Sequence, residues 1–205
     1  IFIDHLNTTT VDCQNNLLNG TTIINAITLT NSHHSTIQNC HIRGYSNGIS
    51  ATSSTNLTIT SNTLSSTSIG IYLTSSNFAN IAANSINSST YGMYLYSSSN
   101  STIQYNSINS SSSYGMYLYY ADNNTILDNT FSSNTNGIII SSFSDNNTLT
   151  NNTLNSTTLG ISVAYPGTNR IWRNTLYNKG ITDSSITTTN IYCLEVGNLY
   201  LSGAG

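Results

Sequence analysis

Asp122 and Asp145 each open the tetrapeptide Asp-Asn-Asn-Thr, 23 residues apart. Carboxylates repeated at a fixed spacing could come close enough to share a hard cation such as Ca²⁺, which takes oxygen ligands. Two carboxylates flanked by asparagine are also the composition of an ordinary turn. The four cationic residues are Arg43, Arg170, Arg173 and Lys179, and none is patterned so as to pair a base with a substrate-orienting charge. No catalytic residue and no cofactor is therefore expected, and the chain is read as a non-enzyme. Ten Asn-x-Ser/Thr triplets could accept N-linked sugar: Asn7, Asn19, Asn56, Asn87, Asn100, Asn109, Asn123, Asn146, Asn151 and Asn155. A chain with this much Asn, Ser and Thr gives about ten such triplets by chance, so only their placement, mostly at expected turns, is informative.

Asn, Ser and Thr make up 97 of the 205 residues, and only 5% are charged, against roughly 25% in an ordinary soluble domain. The net charge is −3, with 4 Lys+Arg against 7 Asp+Glu. No basic surface is available for a phosphate backbone, which argues against a nucleic-acid partner. No run of 18 apolar residues exists, so no membrane-spanning helix is expected. The chain opens on "IFIDHL" without an initiator Met or a signal peptide, and reads as a processed protein or part of a longer one. Polarity without charge could mean disorder, unless the apolar residues are periodic.

They are. Lines of 22 or 23 residues align Ile37, Ile59, Ile81, Ile103, Ile126, Leu149 and Ile171 in one column. Five residues on, a second column holds Ile42, Leu64, Ile86, Ile108, Phe131, Leu154 and Leu176. A glycine column runs Gly48, Gly70, Gly92, Gly115, Gly137 and Gly160, with Gly180 where the spacing shortens. Apolar and polar residues alternate within each line, which is strand spacing. One line has too few apolar positions to bury anything alone, but stacked lines make continuous columns and supply each strand with partners above and below. The pattern predicts one all-β domain over residues 1–205, a β-solenoid of about nine coils, forming a rod roughly 40 Å long at strand spacing. Asn62, Asn84, Asn106, Asn129, Asn152 and Asn174 form a polar column as regular as the core. They are expected to bond amide to amide along the rod, at positions that also suit a left-handed turn.

The lines "TIxxNxI", "xxGIxL" and "xxNNTI" resemble the right-handed parallel β-helix repeat of pectate-lyase-like and NosD-like surface proteins. "VDCQNNLLNG" and "NCHI" resemble the opening coil of such proteins. The resemblance covers nearly the whole chain. It implies a right-handed parallel β-helix, and with it several activities: this fold carries lyases, epimerases, adhesins and structural fibres alike. The lyases and epimerases of this kind use acids with Ca²⁺ and a nearby base, and no such constellation is found. The NosD likeness raises copper, for which His5, His33, His34, His41, Met93 and Met116 are the candidate donors. Both Met residues fall in a column filled elsewhere by Ile, so core packing is the preferred reading, and no matched His spacing recurs; no metal site is expected.

Cys13 and Cys40 fall in successive coils, close enough to bridge, although two buried reduced thiols fit equally well. Cys193 lies some seven coils away, roughly 30 Å at strand spacing, and is read as a buried thiol in preference to an intermolecular partner. Last, the hexapeptide Tyr-Gly-Met-Tyr-Leu-Tyr occurs at 91–96 and again at 114–119. With Met and Leu inward, Tyr94, Tyr96, Tyr117 and Tyr119 point outward, and Tyr72 and Ile139 extend the stripe. An exposed aromatic stripe on an otherwise polar rod suits an interface. The preferred partner is a second copy of the chain, in an extracellular filament, sheath or surface layer built by end-to-end stacking and by this stripe. The alternative is a cell-surface polysaccharide, bound by an adhesin or a degenerate lyase.

Overall fold

The computed structural model describes residues 1–22, 24–87, 89–164, 167–177, 180–183 and 191–193. Within them the chain forms 24 strands and no helix, and neighbouring strands pair in parallel with the coil above or below. Each coil crosses three faces. One coil runs through Ile69–Thr74, Asn80–Ala82 and Ser85–Asn87, and the next begins at Tyr91–Tyr96. One face is a nine-stranded sheet, from Thr10–Asp12 to Ile191–Cys193. Eight turns therefore separate its first and last strands. The other two faces join into a single 15-stranded sheet. They do so because Thr130–Ser141 and Thr153–Val163 pass round a corner without a break.

Register turns the sequence columns into stacks. Ile37, Ile59, Ile81, Ile103, Ile126, Leu149 and Ile171 are successive partners on the nine-stranded face. Ile42, Leu64, Ile86, Ile108, Phe131, Leu154 and Leu176 stack in the same way on the second face. All of these are buried, and with the inward residues of the third face they form one continuous core. The short strands bury only their middle residue, as the alternation of side chains in a strand requires.

The glycine column answers a problem of space. A Cβ on Gly92 would lie 2.3 Å from Ile108 Cγ2 and 2.4 Å from the Gly115 carbonyl oxygen. The backbone there presses against the core of the facing strand, and no side chain fits.

Buried polar groups line the corners, and the ladder asparagines among them bond to the coils on either side. The backbone N–H of Asn84 donates to Asn106 Oδ1 at 2.9 Å, and Asn106 N–H donates to Asn129 Oδ1 at 2.9 Å. Asn106 Nδ2 also donates to the carbonyls of Ile81 and Gln104. The ladder runs from Asn62 to Asn174. A second ladder at another corner went unread in the sequence. There Ser101, Asn124 and Asn147 N–H groups donate to the side chains of Asn124, Asn147 and Asn169 respectively. In the opening coils Cys13 and Cys40 form a disulfide with Cα atoms 4.7 Å apart. Of the two readings the sequence left open, the bridge is the one adopted. The backbone of Cys193 pairs with Trp172 at the far end of the nine-stranded face, and its side chain lies outside the described residues.

Candidate functional site

The tyrosines lie on the face built by Ile69–Thr74, Tyr91–Tyr96 and Tyr114–Tyr119. In each of these strands the residues at positions two, three and five are buried and the rest look outward. Parallel register then makes outward columns: Tyr91 beside Tyr114, Tyr94 between Tyr72 and Tyr117, and Tyr96 beside Tyr119. The rings meet across the coils. Tyr94 and Tyr117 have centroids 5.1 Å apart, and Tyr72 and Tyr94 are 5.2 Å apart. Tyr96 and Tyr119 stack at 5.6 Å with 13° between planes, within the range of favourable offset packing. Tyr120 and Phe143, at the adjoining corner, stack at 5.4 Å and connect to the face through Tyr119. Nine rings thus form one connected, uncharged cluster.

Two expectations change here. The stripe is not fully exposed: the outward tyrosines of these strands are half-buried, because each ring shields its neighbours. Ile139 shares the column of Tyr117 but is only 7% exposed, so it belongs to the buried floor at the cluster's end. Tyr91, Tyr114, Tyr120 and Phe143 were missed. Tyr91 and Tyr114 precede the glycine, where a simple alternation from Met93 points inward. Their outward placement comes from two successive buried residues, glycine and methionine. Tyr94 sits at the centre of the cluster, and its hydroxyl pKa is pushed up to about 12, by burial first and then by the neighbouring phenols, Tyr117 foremost.

The other candidates are dispersed. Asp122 Oδ1 accepts the Asp145 backbone N–H at 2.8 Å, which is turn chemistry. Among the described residues no group of three or more His, Cys, Asp or Glu converges as a metal site would require. His33 Nδ1 accepts the Thr55 backbone N–H at 3.1 Å, which assigns its ring proton to Nε2. His5 pairs with Asp4 at 2.7 Å, and His34 and His41 are exposed. Met93 and Met116 are fully buried in the core. Arg173 lies over the Trp172 ring at 4.8 Å, Arg43 and Arg170 are exposed elsewhere, and Lys179 lies outside the described residues. Of the ten triplet asparagines, Asn87 and Asn109 are half-buried and bonded to each other at 3.2 Å. The remaining eight are exposed.

A family model described as "Periplasmic copper-binding protein (NosD)" matches residues 7–203. The chain belongs to the NosD family. No match was found among curated proteins. Among solved structures, this NosD-family chain resembles the periplasmic alginate epimerase AlgG, with 18% identity and a TM-score of 0.67 over 94% of this chain and 45% of that one. It also resembles DFA-IIIase from Arthrobacter chlorophenolicus A6, with 16% identity and a TM-score of 0.66 over 79% of this chain and 45% of that one. The complex of XylC with xylose matches at 14% identity and a TM-score of 0.59, over 79% and 37%. At these identities the likeness shows the shared parallel β-helix, and the chain spans less than half the length of these structures.

Proposed function

We propose that this chain is a non-catalytic structural protein of the cell envelope, and that its tyrosine face joins it to another copy of itself. One observation carries this reading: seven uncharged, mutually packed tyrosine rings cover one face, while other exposed apolar side chains, such as Leu17, Phe78 and Tyr105, lie outside this cluster on a surface rich in Ser, Thr and Asn. Contiguous aromatic surface of this kind marks contact sites on soluble proteins, and tyrosine serves interfaces well because a rigid apolar ring ends in a hydroxyl. Face-to-face pairing of two such rods would join them sideways. End-to-end stacking would continue the strand ladder from one copy into the next, giving a filament, sheath or surface layer. The family description favours an envelope location, and the cell surface is the site proposed.

The family description also raises copper, and the donors described here do not fit it. The methionines are core, His33 has one ring nitrogen committed to backbone, and the histidines do not converge with other donors. No step is assigned to a metal.

A second reading has support in the ring geometry itself. Half-exposed tyrosine rings in register along a strand direction are also a platform on which neutral sugar rings could stack. Electron microscopy of the purified protein separates the two. Regular filaments or sheets that become dispersed single rods in the Tyr94→Ser/Tyr117→Ser double variant support self-association. Dispersed wild-type rods that are retained on a neutral polysaccharide column, with retention lost in the same variant, overturn it in favour of sugar binding. Both variant positions point outward, so the fold should survive, and circular dichroism checks that it does.

A further inference from the structure

One corner of the rod collects acceptor asparagines. Asn56, Asn100, Asn123 and Asn146 occupy equivalent positions in four coils, each exposed and each with φ between 55° and 58°. The backbone N–H groups of Asn56, Asn100 and Asn123 donate one coil onward in the same way, to the carbonyls of Asn77, Asp122 and Asp145, and on the rung between Asn56 and Asn100 the Phe78 N–H donates to Ser99. Each is followed two residues later by a threonine that opens the next strand: Thr58, Thr102, Thr125 and Thr148.

The backbone does not demand this. The next corner has the same left-handed conformation at Ser61, Ala83, Tyr105, Asp128 and Asn151, and there too a Ser or Thr follows two residues on. Counting also the preceding rung, His34 here and Asn39 there, six matched rungs hold two asparagines at that corner and four at this one. Asparagine is favoured in this conformation but plainly not required by it. A second, independent feature lies in the same turns. Residues 120–125 read "YADNNT" and residues 143–148 read "FSDNNT". Tyr120 and Phe143 also have positive φ, 52° and 51°, which is unusual for bulky side chains. They remain 41% and 50% exposed, three residues before Asn123 and Asn146, and stacked on each other. An exposed aromatic face beside an acceptor asparagine is a ready surface for the apolar face of a sugar ring.

We propose that this corner is an N-glycosylation site, with Asn123 and Asn146 as its principal acceptors. The donor class is a saccharide carried on a lipid phosphate or pyrophosphate, delivered by a transferase. The asparagine Nδ2 forms a bond to the anomeric carbon, and the bond from that carbon to the phosphate oxygen breaks with its electron pair leaving on the phosphate. The amide gives up one proton to a base, and nothing is oxidised or reduced. Neighbouring rungs are about 4.8 Å apart, so singly modified molecules are expected beside doubly modified ones. Asn87 and Asn109, bonded to each other on a half-buried strand, remain unmodified.

Glycopeptide mass spectrometry of the protein isolated from its native host tests this. Saccharide mass located on Asn123, Asn146 or both is the expected result. Thr125→Ala or Thr148→Ala, made in that host, should remove the mass at the matching asparagine alone. Unmodified peptides at both positions in the native wild-type protein, or modification confined to Asn87 and Asn109, overturn the proposal. The wild-type measurement decides even if a variant fails to fold.

Discussion

Asn106 shows what a single side chain does in this fold. Its Nδ2 serves two carbonyls and Asn129 Oδ1, while its own Oδ1 receives the backbone and side-chain N–H groups of Asn84. All of this is buried, away from water that could substitute. Truncation in Asn106→Ala strands the Asn84 backbone N–H, which has Asn106 Oδ1 as its acceptor, and removes the amide bonds to the Ile81 and Gln104 carbonyls and to Asn129 Oδ1. At about 1–3 kcal/mol for a buried group left without a partner, a loss of at least about 1–3 kcal/mol is expected in urea unfolding. Asn100→Ala, exposed but at a left-handed φ of 58°, should cost no more than about 1 kcal/mol. Equal losses for the two would show that the ladder contributes nothing special. Tyr94 gives a prediction of a different kind. Its folded pKa, pushed up to about 12 by burial and the neighbouring phenols, lies above the ordinary tyrosine value of about 10, so the native state holds the phenolic proton more tightly than the unfolded chain. That contribution is whole below pH 10 and is lost as pH rises toward 12. Melting temperature should fall across this window, and Tyr94→Phe, which cannot ionise, should make the fall shallower. An identical slope in the variant would mean that other groups govern the alkaline loss.

At the scale of the strand, what was legible in the sequence is what repeats in register. The Ile and Leu columns, the glycine column and the Asn62–Asn174 ladder could be read because each recurs every 22 or 23 residues as one residue type. The second ladder escaped notice because its rungs are mixed: Ser101, Asn124, Asn147 and Asn169 do the same work with hydroxyl or amide. Tyr91 and Tyr114 were missed because strict alternation fails where Gly92 and Met93, or Gly115 and Met116, are both buried. Ile139 reads as exposed in the sequence because alternation tells only a side chain's direction, while its cover comes from neighbouring coils. The sequence hinted at the glycine's role, but the reason is the space. Gly92→Ala must push a methyl against Ile108 and the Gly115 carbonyl, an overpacking that costs about 1–3 kcal/mol. The expected signature is a lowered melting temperature with unchanged parallel-sheet circular dichroism. A neutral result would mean that the two faces can separate there at no cost.

For the whole molecule, stacking of like coils makes stability a sum of coil and interface contributions rather than the property of one indivisible core. Deleting residues 91–113 tests this directly. Tyr114–Tyr119 pairs with Tyr91–Tyr96, which itself pairs with Ile69–Thr74, so excision lets Tyr114–Tyr119 take the place of Tyr91–Tyr96. Ser85–Asn87 then meets residues 130–132, and Asn80–Ala82 meets Thr125–Leu127, with the Ile and Asn columns continuous across the junction. The shortened chain should fold, with the rod shorter by about 4.8 Å in solution scattering. Deleting only residues 91–101 removes half a coil. It sets one face's strand beneath another's, places asparagine rungs against apolar columns, and should abolish the cooperative unfolding transition. If both deletions unfold the chain, the fold depends on contacts spanning many coils. If both are tolerated, register between the columns is not what specifies it.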